Sequence, residues 1–455
     1  MLSLMLLGIC MYSTANALNT VRIPTHRKRM PHESTLTLQH EMLPRNEWVT
    51  WGAYFVSLHV GTPPQRLELL VDTGSSDVWL PDAVSDNCRG NMCAGGSFDR
   101  SLSQTFSWMG LRQPFSIKYN DGSSAHGLYA NDTVALGKSA LTDFNFGLCP
   151  RVDMSFGQPG PQYGVLGLGR HEVQSGVCKK DAECKRGVIV PTLNDALLSA
   201  GYIGSRSYSL SVDDNESQTG HILFGGIDRS KFSGQLITLS TMPIQSGPWK
   251  GQRIQQEVRL TRIASNVDGE TRYHECPELP SPAIIDTGVS GIKFPYYAEH
   301  IVQALLETMP VLRKTSAKLG RGPLAFCSNA NANFSVIFTL ADSSGLTGRT
   351  ASITVPFGEL LYPLYELHKY KAGRNNSRVV MQDGKALCRI KLYAQNATRS
   401  ADLRFGLGLP FFQSAYVHHN LDQNTISFAK PAYNNKPADI VAVGPGPVPK
   451  LIGTG

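Results

Sequence analysis

Residues 67–81 read LELLVDTGSSDVWLP: an apolar run arrives at Asp72, crosses Thr73, Gly74 and Ser75, and turns apolar again. A carboxylate at the end of a buried strand is costly unless hydrogen bonds or a charge offset its desolvation. A candidate partner lies far downstream, where residues 281–295, SPAIIDTGVSGIKFP, repeat the arrangement around Asp286.

A lone Asp-Thr-Gly arises by composition in roughly one chain of this length in ten. Two copies, each after an apolar strand and each followed by Ser within two residues, are far more specific. Gly74 and Gly288 let the backbone turn tightly toward the carboxylates, and the hydroxyls of Thr73, Ser75 and Thr287 supply donors that hold the neighbourhood rigid. Two carboxyls held in contact cannot both ionise easily, so they share a proton at acidic pH. One then serves as base and the other as acid toward a water that attacks an amide carbonyl.

The rest of the chain supplies a mainly β frame. Short alternating segments such as AYFVSLHVG, FSIKYNDGSS, GHILFGG, GQLITLS and TISFAK are punctuated by Gly, Asn and Asp, the pattern of hairpins and sheets. Helical spacing is confined to PTLNDALLSAG and YYAEHIVQALLETM. With 455 residues, the chain suits two lobes. They repeat one order: LLVDTGSS precedes GVLGLG at residues 164–169, and AIIDTGVS precedes FGLGLP at residues 405–410. An approximate two-fold axis would bring both aspartates face to face.

These motifs, with SIKYNDGSSAHG, ILFGGID and GLGLPFF in order, resemble a pepsin-family aspartic protease from about Trp51 to Tyr433. YNDGSS and QSAYVHHNLDQNTISFA are most similar to secreted fungal members, the candidapepsin and yapsin type. The resemblance implies a bilobal fold with a cleft between two pseudo-two-fold lobes, residues 45–230 and 231–433. It implies that Asp72 and Asp286 are the catalytic pair, and that Tyr119, Asn120, Asp121 and Gly122 form a flap. Trp79 would donate its indole N–H to the Tyr119 oxygen, with Val289 and Ser290 also lining the site. Asp121 would admit Lys as well as large hydrophobic residues before the cleaved bond; a purely turn-forming Asp is the alternative. Peptides, proteins and pepstatin-like inhibitors are the expected partners of a monomer.

Three positions depart from the family pattern. Val289 replaces a hydroxyl residue that donates to the second aspartate, which predicts an asymmetric dyad with an acid limb above that of Val289→Thr. Asn120 replaces a Gly in the flap. Leu409 replaces the Asp that commonly follows the paired Leu-Gly.

The first 17 residues are apolar and end in Ala15-Asn16-Ala17, which predicts a signal peptide. Arg27-Lys28-Arg29 then predicts processing of a short propeptide, residues 18–29, whose cations would face the carboxylates. Free secretion follows, with a vacuole as the alternative destination and no membrane anchor. Of nine cysteines, Cys10 leaves with the leader; an even set in an exported chain reads as disulfides. Cys88 with Cys93 and Cys178 with Cys184 would close small loops, and Cys327 with Cys388 would staple the second half. A zinc site is disfavoured by spacing and compartment, and the pairing of Cys149 and Cys276 stays open. No metal or cofactor is called for.

Asn131, Asn215, Asn333, Asn375 and Asn396 are glycosylation candidates. More than half of the net charge of +7 lies before Met30, and no basic face interleaved with aromatics follows; nucleic-acid binding is therefore disfavoured. Residues 434–455, rich in Pro and Gly, are expected to be loose. A catalytically silent pepsin-like binding protein is the rival reading, while a Ser-His-Asp hydrolase lacks its Gly-x-Ser-x-Gly elbow.

Overall fold

The computed structural model describes residues 21–24, 38–42, 52–153, 162–170, 190–214, 219–244, 250–311, 323–366, 378–395 and 403–455, save single positions 91, 111, 138, 254, 344, 346 and 435. The signal segment, most of the propeptide, Cys178, Cys184, Asn215, Asn375 and Asn396 lie outside the described residues.

Strands dominate, as the alternating segments predict. In Gln65–Asp72 every second residue, Leu67, Leu69 and Val71, is fully buried, because successive side chains on a strand point to opposite faces. Each such burial contributes about 1.5–3 kcal/mol. The two predicted helical stretches form Leu193–Ser199, closed by a Thr192–Asp195 capping box, and Glu299–Thr308, which buries Ile301, Val302 and Leu305.

One large sheet runs through Phe232–Ser240, Thr425–Pro431, Tyr416–Asn420, Ser207–Asp214, Thr219–Phe224, Leu38–Met42, Gly52–Val60, Gln65–Asp72, Gly164–Gly167, Val78–Pro81 and Ser139–Asp153. A second runs through Thr350–Pro356, Phe334–Ala341, Glu257–Val267, Ser281–Ile285, Phe405–Leu407, Ile292–Phe294 and Leu392–Ala394. Hydrogen bonding therefore crosses the boundary drawn at residue 230. Tyr416–Asn420, from the end of the chain, pairs with Ser207–Asp214 of the first half. Residues 21–24, within the proposed propeptide, add a strand beside Thr219–Phe224.

The tail corrects an expectation. Ile440–Ala442 pairs with Gly226–Asp228, and Gln235 bridges to Ile452. Val443 is buried in a cluster with Ile227, Phe232 and Tyr416, against which Val448 and Leu451 pack. Composition suggested a loose end, but a few apolar side chains at the right spacing dock it.

Cys88–Cys93 and Cys327–Cys388 are disulfides, whereas Cys149 and Cys276 are free thiols. Asn333 is exposed and Asn131 half-buried. Leu409 is fully buried at the start of a short helix.

Candidate active site

Each Asp-Thr-Gly turn is anchored by the same local arrangement. Gln65–Asp72 runs parallel to Gly164–Gly167, with Asp72 opposite Gly167, and Val78–Pro81 returns antiparallel on the far side. Ser281–Ile285 runs parallel to Phe405–Leu407, and Ile292–Phe294 returns in the same way. The glycine-rich strands fix the turns directly: Leu168 N–H donates to the Asp72 carbonyl at 2.9 Å, and Asp286 N–H donates to the Leu407 carbonyl at 3.2 Å.

The turns then clasp each other. Thr73 N–H donates to Thr287 Oγ1 and Thr287 N–H to Thr73 Oγ1, both at 3.1 Å. Each hydroxyl donates onward across the seam, Thr73 to the Ile285 carbonyl at 3.0 Å and Thr287 to the Val71 carbonyl at 2.8 Å. Both threonines are buried, so these bonds satisfy groups that water cannot reach.

This clasp brings the carboxyls together. Asp72 accepts from Gly74 N–H at 2.9 Å and from Ser75 Oγ at 2.5 Å; Asp286 accepts from Gly288 N–H at 2.8 Å. The glycines are required by close approach. A Cβ on Gly74 would lie 2.3 Å from Asp286 Oδ2, and one on Gly288 would lie 2.7 Å from Asp72 Oδ1. The two carboxyls meet at one point: the same Gly288 Cβ would also lie 3.1 Å from Asp286 Oδ1. Burial, followed by the Asp72 charge, pushes the Asp286 carboxyl well above the usual range, which favours its protonated form. The missing hydroxyl at Val289 therefore bears on the group that deprotonates last, which moves its effect from the acid limb to the alkaline one.

The flap residues stand where the motif predicts. Trp79 Nε1 donates to Tyr119 Oη at 2.8 Å, and the Tyr119 phenol, pushed up by burial, also feels the Asp72 charge. Asn120, Asp121 and Gly122 are exposed at the turn, with Gly122 at φ 90°. Asp121 Oδ1 accepts from Ser123 N–H at 2.8 Å and Ser123 Oγ at 2.6 Å, which gives this side chain a turn-capping role. Val289 and Ser290 are half-buried beyond Gly288.

Several residues near the dyad escaped sequence reasoning. Tyr208 Oη hydrogen-bonds Gln256, and burial, together with the charges of Asp72 and Asp286, makes its phenol less acidic. His419 stacks on Tyr208 with ring centroids 4.9 Å apart. Tyr393 is raised by burial and then by Asp286 and Asp121, and Lys293 opposes the rise at Asp286. Strand register delivers these residues, so no local motif marks them. The one available signal was Lys293 itself, a cation inside the apolar run GIKFP.

The pattern described as Eukaryotic aspartyl protease matches residues 53–431. The chain is 32% identical to "Probable aspartic-type endopeptidase opsB" of Aspergillus fumigatus, over 87% of this chain and 72% of that protein. It is 28% identical to "Acid protease" of Saccharomycopsis fibuligera, over 84% and 82% respectively. It is also 29% identical to "Secreted aspartic protease 5" of Candida albicans, over 88% and 80%. With two clasped Asp-Thr-Gly turns and a match over most of its length, the chain belongs to the eukaryotic aspartyl protease family and is an aspartic-type endopeptidase.

Proposed function

We propose that the protein is exported and hydrolyses peptide bonds at acidic pH with a water held between Asp72 and Asp286. The Asp72 carboxylate takes a proton from the water as its oxygen attacks the amide carbon, while Asp286 gives its proton to the carbonyl oxygen. Collapse of the tetrahedral intermediate breaks the C–N bond: Asp286 takes back a hydroxyl proton as the carbonyl re-forms, and Asp72 passes its proton to the leaving amine, which restores the dyad. Tyr119 and its turn close over the peptide and exclude water.

The close approach of the two carboxyls across the clasped turns, with Asp286 as the protonated partner, carries this reading. Large hydrophobic residues fit before the cleaved bond, and the exposed Asp121 offers a charge to Lys at that position. Secreted relatives in Candida support export, and no helix among the described residues is long and apolar enough to cross a membrane. The test is cleavage of denatured globin at about pH 4, blocked by pepstatin. Peptide binding without cleavage would favour the silent binding protein instead.

A further inference from the structure

The two carboxyls are supported unequally. Asp72 has the Ser75 hydroxyl at 2.5 Å, whereas the matching position beside Asp286 is Val289, which has no donor. Close by, a cation has been drawn into the structure. Lys293, on Ile292–Phe294, is only 6% exposed. Its neighbours across the strand are Gly406 on one side and Tyr393 on the other.

The absence of a side chain at Gly406 makes room for the lysine stem. A Cβ there would lie 3.0 Å from Lys293 Cε and 3.4 Å from Val289 Cγ1. Lys293 and Val289 thus converge on one point beside the second Asp-Thr-Gly turn. A buried ammonium is costly unless a negative group faces it. Among the described residues, the titratable groups that act on Asp286 or respond to it are Asp72 from the opposite turn, Tyr208 from Ser207–Asp214, Tyr393 from Leu392–Ala394 and Lys293; Lys293 is the cation among them, and its charge favours ionised Asp286.

We propose that Lys293 is a positioning residue for the reaction: it steadies the charge of Asp286 electrostatically, where Ser75 steadies Asp72 by a hydrogen bond. The role rests on the peptidase reading above and adds to it an unlike pair of supports for the two carboxyls.

Lys293→Met keeps the stem and removes the charge. Without the cation, ionised Asp286 is less favoured and holds its proton to higher pH, so the alkaline limb of kcat/KM moves upward by about one pH unit. Lys293→Arg keeps the limb near its native place. Adding Val289→Thr to Lys293→Met supplies a hydroxyl and returns the limb toward it. Gly406→Ala, which crowds the stem, gives a second route to an upward shift should Lys293→Met fail to fold. A residue that merely packs the strand would change the melting temperature and leave the limb in place; an unmoved limb in either folded variant overturns the proposal. A native protein without cleavage would instead overturn the peptidase reading, and the role of Lys293 with it.

Discussion

Thr73 and Thr287 exchange backbone N–H to hydroxyl bonds at 3.1 Å in both directions, which makes the two halves of the site one hydrogen-bonded unit. Their hydroxyls also donate to carbonyls of the opposite strand ends. The carboxyl separation is therefore set by backbone and threonine, below the carboxyls themselves.

Thr287→Val removes the acceptor of Thr73 N–H and the donor to the Val71 carbonyl, leaving two buried groups unpaired. The expected cost is about 2–3 kcal/mol in urea unfolding, with a fall in kcat. Thr73→Val should behave alike, and the double variant should lose less than the sum because both act on one network. A cost within error of zero would show that the clasp is dispensable.

Trp79 holds the Tyr119 phenol at 2.8 Å and is itself buried. Trp79→Phe keeps an aromatic ring but loses the donor, so kcat/KM is expected to fall by about tenfold, with about 1 kcal/mol lost in stability. Unchanged peptide cleavage would detach this hydrogen bond from flap closure.

Asp121 is bound to its own turn through Ser123. Asp121→Asn retains an acceptor for that turn and removes the charge, which separates the two roles better than truncation. Loss of a charge-assisted contact predicts a fall of about tenfold or more in cleavage after Lys relative to Phe. A constant ratio in a peptide library would leave Asp121 as a turn residue alone.

His418 and His419 are fully buried, and no ring nitrogen of either has a hydrogen-bond partner among the described residues. Burial moves His418 from 6.5 down to about 3 and His419 well below its usual value. The folded protein keeps both neutral while the unfolded chain takes up protons. Their contribution is thus fully present above pH 6.5 and is lost as pH falls toward about 3. The slope is about 1.4 kcal/mol per pH unit for each histidine, so His418→Val should flatten the dependence of urea stability on pH by that amount. Parallel curves for the two proteins would contradict it.

The core of the site was legible because short motifs encode it. Asp72, Thr73, Gly74 and Ser75 are contiguous, their counterparts follow Asp286, and Tyr119 precedes a marked Asn-Asp-Gly turn. Tyr208, Tyr393 and His419 were not legible, since strand register brings Tyr208 and Tyr393 toward the dyad and stacks His419 on Tyr208; Lys293 left only the trace of a cation inside an apolar run. Composition misled for residues 434–455: Pro and Gly suggested looseness, but Val443 and Leu451 anchor the segment. An even cysteine count likewise could not reveal that Cys149 is a buried free thiol and Cys276 a half-buried one.

The central claim is that Asp72 and Asp286 act as one proton-sharing unit, and steady-state cleavage by Asp72→Asn and Asp286→Asn tests it most directly. Each variant is expected to fold like the native chain and to lose at least about a thousandfold in kcat at about pH 4, with the double variant no worse than either single one. A folded single variant that keeps more than about a tenth of the native rate would contradict the shared proton.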